Sequence, residues 1–365
     1  MKLNFYSIMG CLAICLMTSY GVQAQGCVAV KNMSSPGLNF GDAANSGGWQ
    51  FTMNYRYFRS YKHFRGSHEE AERVENGTEV INNDNSINLG INYAFNSRWS
   101  AFVAIPVMYI DRSSLYEHNG NSGGRFHTQS KGLGDIRATA YYNTMPENHH
   151  GHLIAGLGVK LPTGKYNYKD YFHKGEGLQL LPVDQSIQPG DGGFGIITEI
   201  DASRHLVGKL SGYVNAMYMF NPRNTNGTLR RAAPYEKFTG EEIPMSNQLS
   251  VADQYFWRLG ALFSFDAVQA GIGARMEGIP SEDLLGKSDG FRRPGYILSA
   301  EPSVYYTTGA HTFGANFPIA LARNRTRNTT DKIQGINPNT GEPAHGDAAF
   351  ADWLLSISYS YRLAK

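Results

Sequence analysis

Along residues 49–58 the side chains alternate between apolar and polar. Phe51, Met53, Tyr55 and Tyr57 fall on one face, and Gln50, Thr52, Asn54 and Arg56 fall on the other. A period of two marks a strand with one apolar and one polar face. The rhythm recurs, and predicts twelve strands at about 49–58, 86–95, 99–110, 134–144, 152–161, 193–200, 206–220, 254–265, 268–277, 296–307, 311–321 and 352–363.

The connections alternate too. Tight turns are predicted at 96–98, around 146–151, at 201–204, near Asp266 and at 308–310. Between them lie long polar connections at about 59–85, 112–132, 162–192, 221–253, 278–295 and 322–351. Even one structureless connection of that size is unusual in a compact soluble domain. Strands of roughly ten residues match a tilted strand crossing a bilayer. Short turns at one end and long loops at the other are the organisation of a membrane barrel. The pattern predicts an all-β fold: a transmembrane antiparallel up-and-down β-barrel of about 12 strands, with long loops outside and both termini in the periplasm. A soluble sandwich would explain the alternation but not the loop lengths.

Aromatic placement agrees. Trp49, Trp99, Trp257 and Trp353 each lie near the start of a strand, on its apolar face. By strand direction the first two mark the periplasmic edge and the last two the outer edge, as in an interfacial girdle.

The polar faces carry both signs. The lumen-lining candidates are Arg56, Asp135, Arg137, Lys160, Glu199, Lys209, Arg258, Arg275, Glu277 and Glu301. An Arg or Lys facing lipid near mid-membrane costs about 2–4 kcal/mol, so the alternation turns them inward. They form either a selectivity ladder or a paired network that stiffens the wall. Mixed signs argue against strong anion or cation selectivity. Twelve strands imply a narrow pore, a pocket or a blocked lumen.

Residues 1–24 have the charged start, short apolar run and Val22-Gln23-Ala24 site of a signal peptide. Residues 25–48 are then a lead-in or plug, and 49–365 the barrel. Apart from the signal cysteines Cys11 and Cys15 only Cys27 remains, so no intrachain disulfide is expected; a lipidated Cys27 is the alternative to simple cleavage after Ala24. Against 33 basic residues stand 31 acidic ones, which gives nothing to attract nucleic acid. The expected partners are outer-membrane lipid, the barrel-assembly machinery and a small-molecule substrate. No cofactor is expected.

Other chemistry is thin. His149, His150 and His152 share one turn and are weak candidates for a transition metal, but their spacing matches no closed site. Arg230-Arg231 and Arg323, Arg325 and Arg327 form basic clusters in outer loops, expected as a solvated surface, with attraction to lipid phosphate as the alternative. His127 and Ser130 form a close His–Ser pair in a loop. Catalysis is not expected.

Three short pieces, Gly132-Leu133-Gly134-Asp135, Leu161-Pro162-Thr163-Gly164 and Gln188-Pro189-Gly190-Asp191-Gly192, occur in an order that resembles the outer-membrane barrel family named for a phenol-degradation pathway. The resemblance covers about residues 130–200. It implies passage of small, often apolar or aromatic molecules. A channel or transporter for a small molecule is therefore expected. The alternatives are a non-transporting barrel whose loops bind a ligand or partner, and a lipid-modifying enzyme.

Overall fold

The computed structural model describes residues 48–118, 124–145, 150–175 and 177–363. The expected signal segment, residues 25–47 of the lead-in, Cys27, His149 and most of the turn at 146–151 lie outside the described residues.

Twelve antiparallel staves close into a barrel. They are β1 (Gly48–Arg65), β2 (Ile81–Ala94), β3 (Trp99–Ser114), β4 (in two pieces, Phe126–Leu133 and Arg137–Asn143), β5 (Gly151–Lys160), β6 (Gly195–Val207), β7 (Leu210–Phe220), β8 (Gln254–Phe265), β9 (Val268–Ile279), β10 (Gly295–Thr308), β11 (in two pieces, His311–Asn316 and Ile319–Asn324) and β12 (Ala348–Leu363). Each pairs with its sequence neighbours, and β12 returns to β1 in a register running from Trp49↔Leu363 to Phe64↔Ala348.

Burial is the inverse of a soluble protein's. Phe51, Met53, Leu89, Leu157, Ile200, Leu259, Ile272, Val304 and Ile357 are exposed on the outer surface. Between them on the same staves, Gln50, Arg56, Asn92, Lys160, Arg258, Glu301 and Ser358 are buried. An apolar exterior of this extent calls for an apolar partner, and the ladder closes on itself where β12 meets β1.

Several boundaries differ from the sequence expectation. The turn expected at 201–204 is strand: β6 continues to Val207, which pairs with Leu210 across Gly208 and Lys209. Gly208 supplies the positive φ (57°) that this tight reversal needs. The polar run Asp201-Ala202-Ser203-Arg204 resembled a turn because it alternates inward polar with outward residues. β4 breaks at 134–136. β11 breaks at Phe317 and Pro318, where proline has no N–H to give the ladder. Above that break β11 meets β12 only at Ile319↔Trp353, whereas six pairs hold the lower half.

The long connections are folded into a cap. Staves β1 and β3 run on into it. A hairpin joins Lys169–Lys174 to Gly177–Pro182, and a second short ladder joins Thr225–Leu229 to Gln248–Ser250. The helix α1 (Glu72–Glu75) and the helix α2 (Thr329–Gln334) complete it, the latter started by a reciprocal Asn328–Asp331 capping box. Phe64, Ala348 and Phe350 form a small core under the cap, as do Met108, Ile110, Val183 and Ile187.

The inverted burial makes a direct prediction. Leu157, 64% exposed in the middle of β5, should lie in hydrocarbon, so Leu157→Arg should destabilise the barrel by about 2–4 kcal/mol. Urea unfolding in lipid vesicles measures this. An unchanged midpoint would mean that this face does not meet lipid.

Candidate functional site

Two charged networks fill the interior of the wall. On β8–β10, Arg258 and Arg275 are cross-strand partners. Arg275 bonds Glu301 (3.2 Å) and Glu277 (3.0 Å), and Arg258 reaches Glu301 at 3.7 Å and bonds Asn215 at 2.5 Å. Asn316 donates to Glu301 (3.1 Å) and to Tyr305 Oη (2.7 Å), tying in β11. Arg56 on β1 lies within electrostatic reach of Glu277 and Asp84. On β4–β6, Arg137 and Glu199 stand 3.9 Å apart, and the Tyr141 hydroxyl donates to Glu199. Buried ions need partners of this kind, because an uncompensated charge is strongly destabilising. Between the networks lies an apolar patch of Ile197, Met217, Met219 and Phe256.

Lys209 does not belong to this set. It is exposed in the β6–β7 turn with its ammonium over the Phe265 ring (5.3 Å), because the reversal falls at 208–209 rather than at 201–204. Asp135 sits at the β4 break and serves backbone rather than a cation. Its two oxygens accept from Gly164 N (2.9 Å) and Asp191 N (3.0 Å).

That contact draws the three sequence motifs into one knot. Thr163 Oγ1 donates to Gly134 O (2.8 Å) and accepts from Ile136 N (2.9 Å). Gly164 and Gly190 pack backbone to backbone: a Cβ on Gly164 would stand 2.7 Å from Gly190 Cα. Lys160 pairs with Asp191 at the same place. These glycines therefore bring loop backbones together at the mouth, and the knot lines a cavity of about 80 Å³ with Arg137, Met219 and Gln254.

The cap carries the second group of charges. Arg112 bonds Glu117 at 2.7 Å and approaches Asp184 at 3.6 Å; Arg231 bonds Glu117 at 3.0 Å, and Arg293 bonds Asp184 at 2.8 Å. Burial, the largest single influence, would raise both carboxyls, but the surrounding arginines together outweigh it, Arg112 and Arg231 at Glu117 and Arg112, Arg293 and Arg231 at Asp184, and hold both below the ordinary range. Arg325 bonds Asp331 (3.0 Å), Arg323 bonds Asp352, and Arg327 donates to the carbonyls of Ala344 and Asp331. Of the basic clusters expected as a solvated surface, Arg231, Arg323, Arg325 and Arg327 are thus internal ties rather than solvated charges. The partners of Arg231 and Arg323, Glu117 and Asp352, lie far away in sequence, whereas Asp331 serves Arg325 and Arg327 from within the same connection.

Other sequence candidates resolve differently. Trp49 packs against Tyr93 (4.6 Å) and Trp99 against Tyr142 (4.9 Å), each pair with tilted rings, at the short-turn end. Trp353 lies by Phe317 (5.4 Å) and Tyr57 (5.9 Å) toward the cap. Trp257 is half-buried on the outer face of β8. His127 and Ser130 are drawn apart: His127 bonds Asp111 (2.8 Å), while buried Ser130 donates to the Ile187 carbonyl. His150 stacks loosely on His205 (6.3 Å). His152 is held by Asp201, which Asn215 also bonds, and lies 3.0 Å from Ser203 Oγ. That Ser–His–Asp contact was not visible in sequence, because the three meet across β5 and β6. The backbone at His152, Asp201 and Ser203 pairs in the β5–β6 ladder. His63, Glu70 and Asp347 also converge, yet Arg73 already stands among them, 3.1 Å from Glu70 and 3.2 Å from Asp347.

No protein-family profile matches the chain, and no curated protein matches it. Among solved structures the chain is similar to an outer-membrane channel of Pseudomonas putida F1, at 13% identity and a TM-score of 0.58, over 91% of this chain and 100% of that one. It is also similar to the β domain of the Bordetella autotransporter BrkA (15% identity, TM-score 0.46, 87% and 100%) and to the toluene transporter TodX of Pseudomonas putida (10% identity, TM-score 0.38, 87% and 91%). At these identities the likeness is one of fold: the architecture is that of outer-membrane β-barrels.

The cap should respond to pH through His118. Burial pushes this imidazole down to about 4, against the pull of Glu117; it stacks on Phe172 (5.1 Å) and accepts from His173 N (3.1 Å). An opened hairpin at 169–182 would free His118 to bind a proton near pH 6.5. The closed form resists that proton until about pH 4, so closure weakens as pH falls through this window, while Glu117 and Asp184 stay ionised. Hydrogen exchange of the hairpin, corrected for intrinsic rate, should be roughly tenfold faster at pH 5 than at pH 7, and His118→Gln should remove the difference. Equal loss of protection in all loops would contradict this.

Proposed function

We propose that the chain is a passive channel in the outer membrane of a Gram-negative bacterium, passing a small molecule through the barrel. The long-loop end faces outward, and both ends of the barrel chain lie on the periplasmic side. Residues 1–24 act as the secretory signal. The observation that carries the reading is the inverted wall: apolar and aromatic outside, charged and hydrogen-bonded within. A closed barrel of this kind is stable only where its exterior meets lipid and its interior meets polar groups.

The cargo class follows from the lining. Opposite charges are matched along the wall, so the field on a bare ion is small. The Ile197–Met217–Met219–Phe256 patch offers apolar contact between the charged networks. Together they support a small, partly apolar or aromatic molecule, in keeping with the three motifs that resemble those of the phenol-pathway barrels. The toluene transporter among the structures of similar fold carries a cargo of that chemistry. We propose transport rather than catalysis, with no cofactor.

A second reading rests on the 350 Å³ cavity among the loops: a barrel that binds a ligand at its cap without passing it. Planar-bilayer recording separates the two. The channel reading predicts discrete current steps of small conductance from the refolded barrel. Folded protein that inserts and gives no steps, with or without added solutes, would overturn it.

A further inference from the structure

The cavity in the cap is built from five of the six long connections and sits under none of the wall motifs. Its lining holds five cationic side chains against three carboxylates. The carboxylates are already engaged. Glu117 and Asp184 are shared among Arg112, Arg231 and Arg293, and Asp347 is held by His63 and Arg73. Arg230 receives none of them: among the described residues it has no carboxylate within ion-pair distance, and its buried Nη1 has no hydrogen-bond partner. Buried guanidinium donors are ordinarily matched.

Arg230 is nevertheless held in place. Its Cζ lies 4.5 Å from the Tyr235 ring centroid and 4.5 Å from that of Phe291. Its backbone N donates to Asn247 O (2.7 Å), and Phe291 N donates to Gln248 O (2.7 Å), so both partners are fixed to the same short ladder. The aromatic faces set the plane of the guanidinium without using its in-plane donors. A planar fork held this way, in a concave site with aromatic walls and surplus positive charge, suits a planar oxyanion.

We propose that this cavity is a binding site for a small aromatic carboxylate, whose carboxylate pairs with Arg230 and whose ring lies against Tyr235, Phe291 and Tyr116. This deepens the channel reading, and rests on it, by naming the class of molecule gathered at the outer mouth. The wall beyond, with balanced charge and an apolar patch, does not itself select an anion. Selection is placed at the cap.

The test uses the full-length refolded barrel in detergent, with benzoate as the probe and benzyl alcohol and inorganic phosphate as controls, read by titration calorimetry. Benzoate should bind measurably more tightly than either control. Arg230→Gln should weaken it by about 10- to 100-fold, the loss expected for a charge-assisted pair, and Arg230→Lys should recover part of that loss. Resistance of the folded barrel to dodecyl sulfate on unheated gels shows that each variant still folds. Equal binding of benzyl alcohol, equal binding of phosphate, or an unchanged affinity in Arg230→Gln would each overturn the proposal. Current steps without benzoate binding would overturn the site and leave the channel. Binding without current steps would support the site and remove the channel.

Discussion

Everything in this molecule depends on closing the backbone ladder. In hydrocarbon a free N–H or C=O has no water to turn to, and each one left unpaired costs several kcal/mol. The seam between β1 and β12 meets that constraint, joining residues about 300 positions apart from the short-turn end up into the cap, with register shifts only between Phe58 and Lys62. Once the ring is closed, side chains on alternate positions must serve two solvents. That one requirement puts Leu157 and Leu259 outside and Arg258 and Glu301 inside.

The interior charges follow from the same constraint. A lumen walled by strands must place every second side chain inward, and at twelve staves the space is too narrow for all of these to be freely solvated. Arg275 therefore sits between Glu277 and Glu301, and Glu301 is shared with Arg258 and Asn316. Such a network stiffens the wall and balances its own field. On the proposed channel reading, selection then falls to the cap, where unbalanced charge is found.

Much of the wall was legible in sequence because strand periodicity is local. Phe51 and Arg56 declare their faces within six residues, and the turns near Asp266 and at 308–310 lie where they were expected. The misplaced turn at 201–204 shows the limit. Asp201 and Ser203 look like turn residues, but they are inward positions whose partners, Asn215 and His152, lie on neighbouring staves. The error carried Lys209 from the turn into the lumen. The cap was far less legible. Glu117, Asp184 and Arg293 are separated by tens to more than a hundred residues, and no periodicity links them; only the closed barrel brings their loops to one mouth. The three glycine-rich motifs were visible as motifs, yet their meaning, a knot closed by Asp135 and the Gly164–Gly190 contact, required the fold.

The central claim is that the aromatic rims mark two membrane edges on an inverted wall. Tryptophan quenching by lipids brominated at successive depths tests it most directly, because all four tryptophans lie on strands of the wall. The account predicts strong quenching by bromines near the headgroups and weak quenching by bromines at the chain ends. Quenching strongest at the bilayer centre, or no quenching at all, would contradict it.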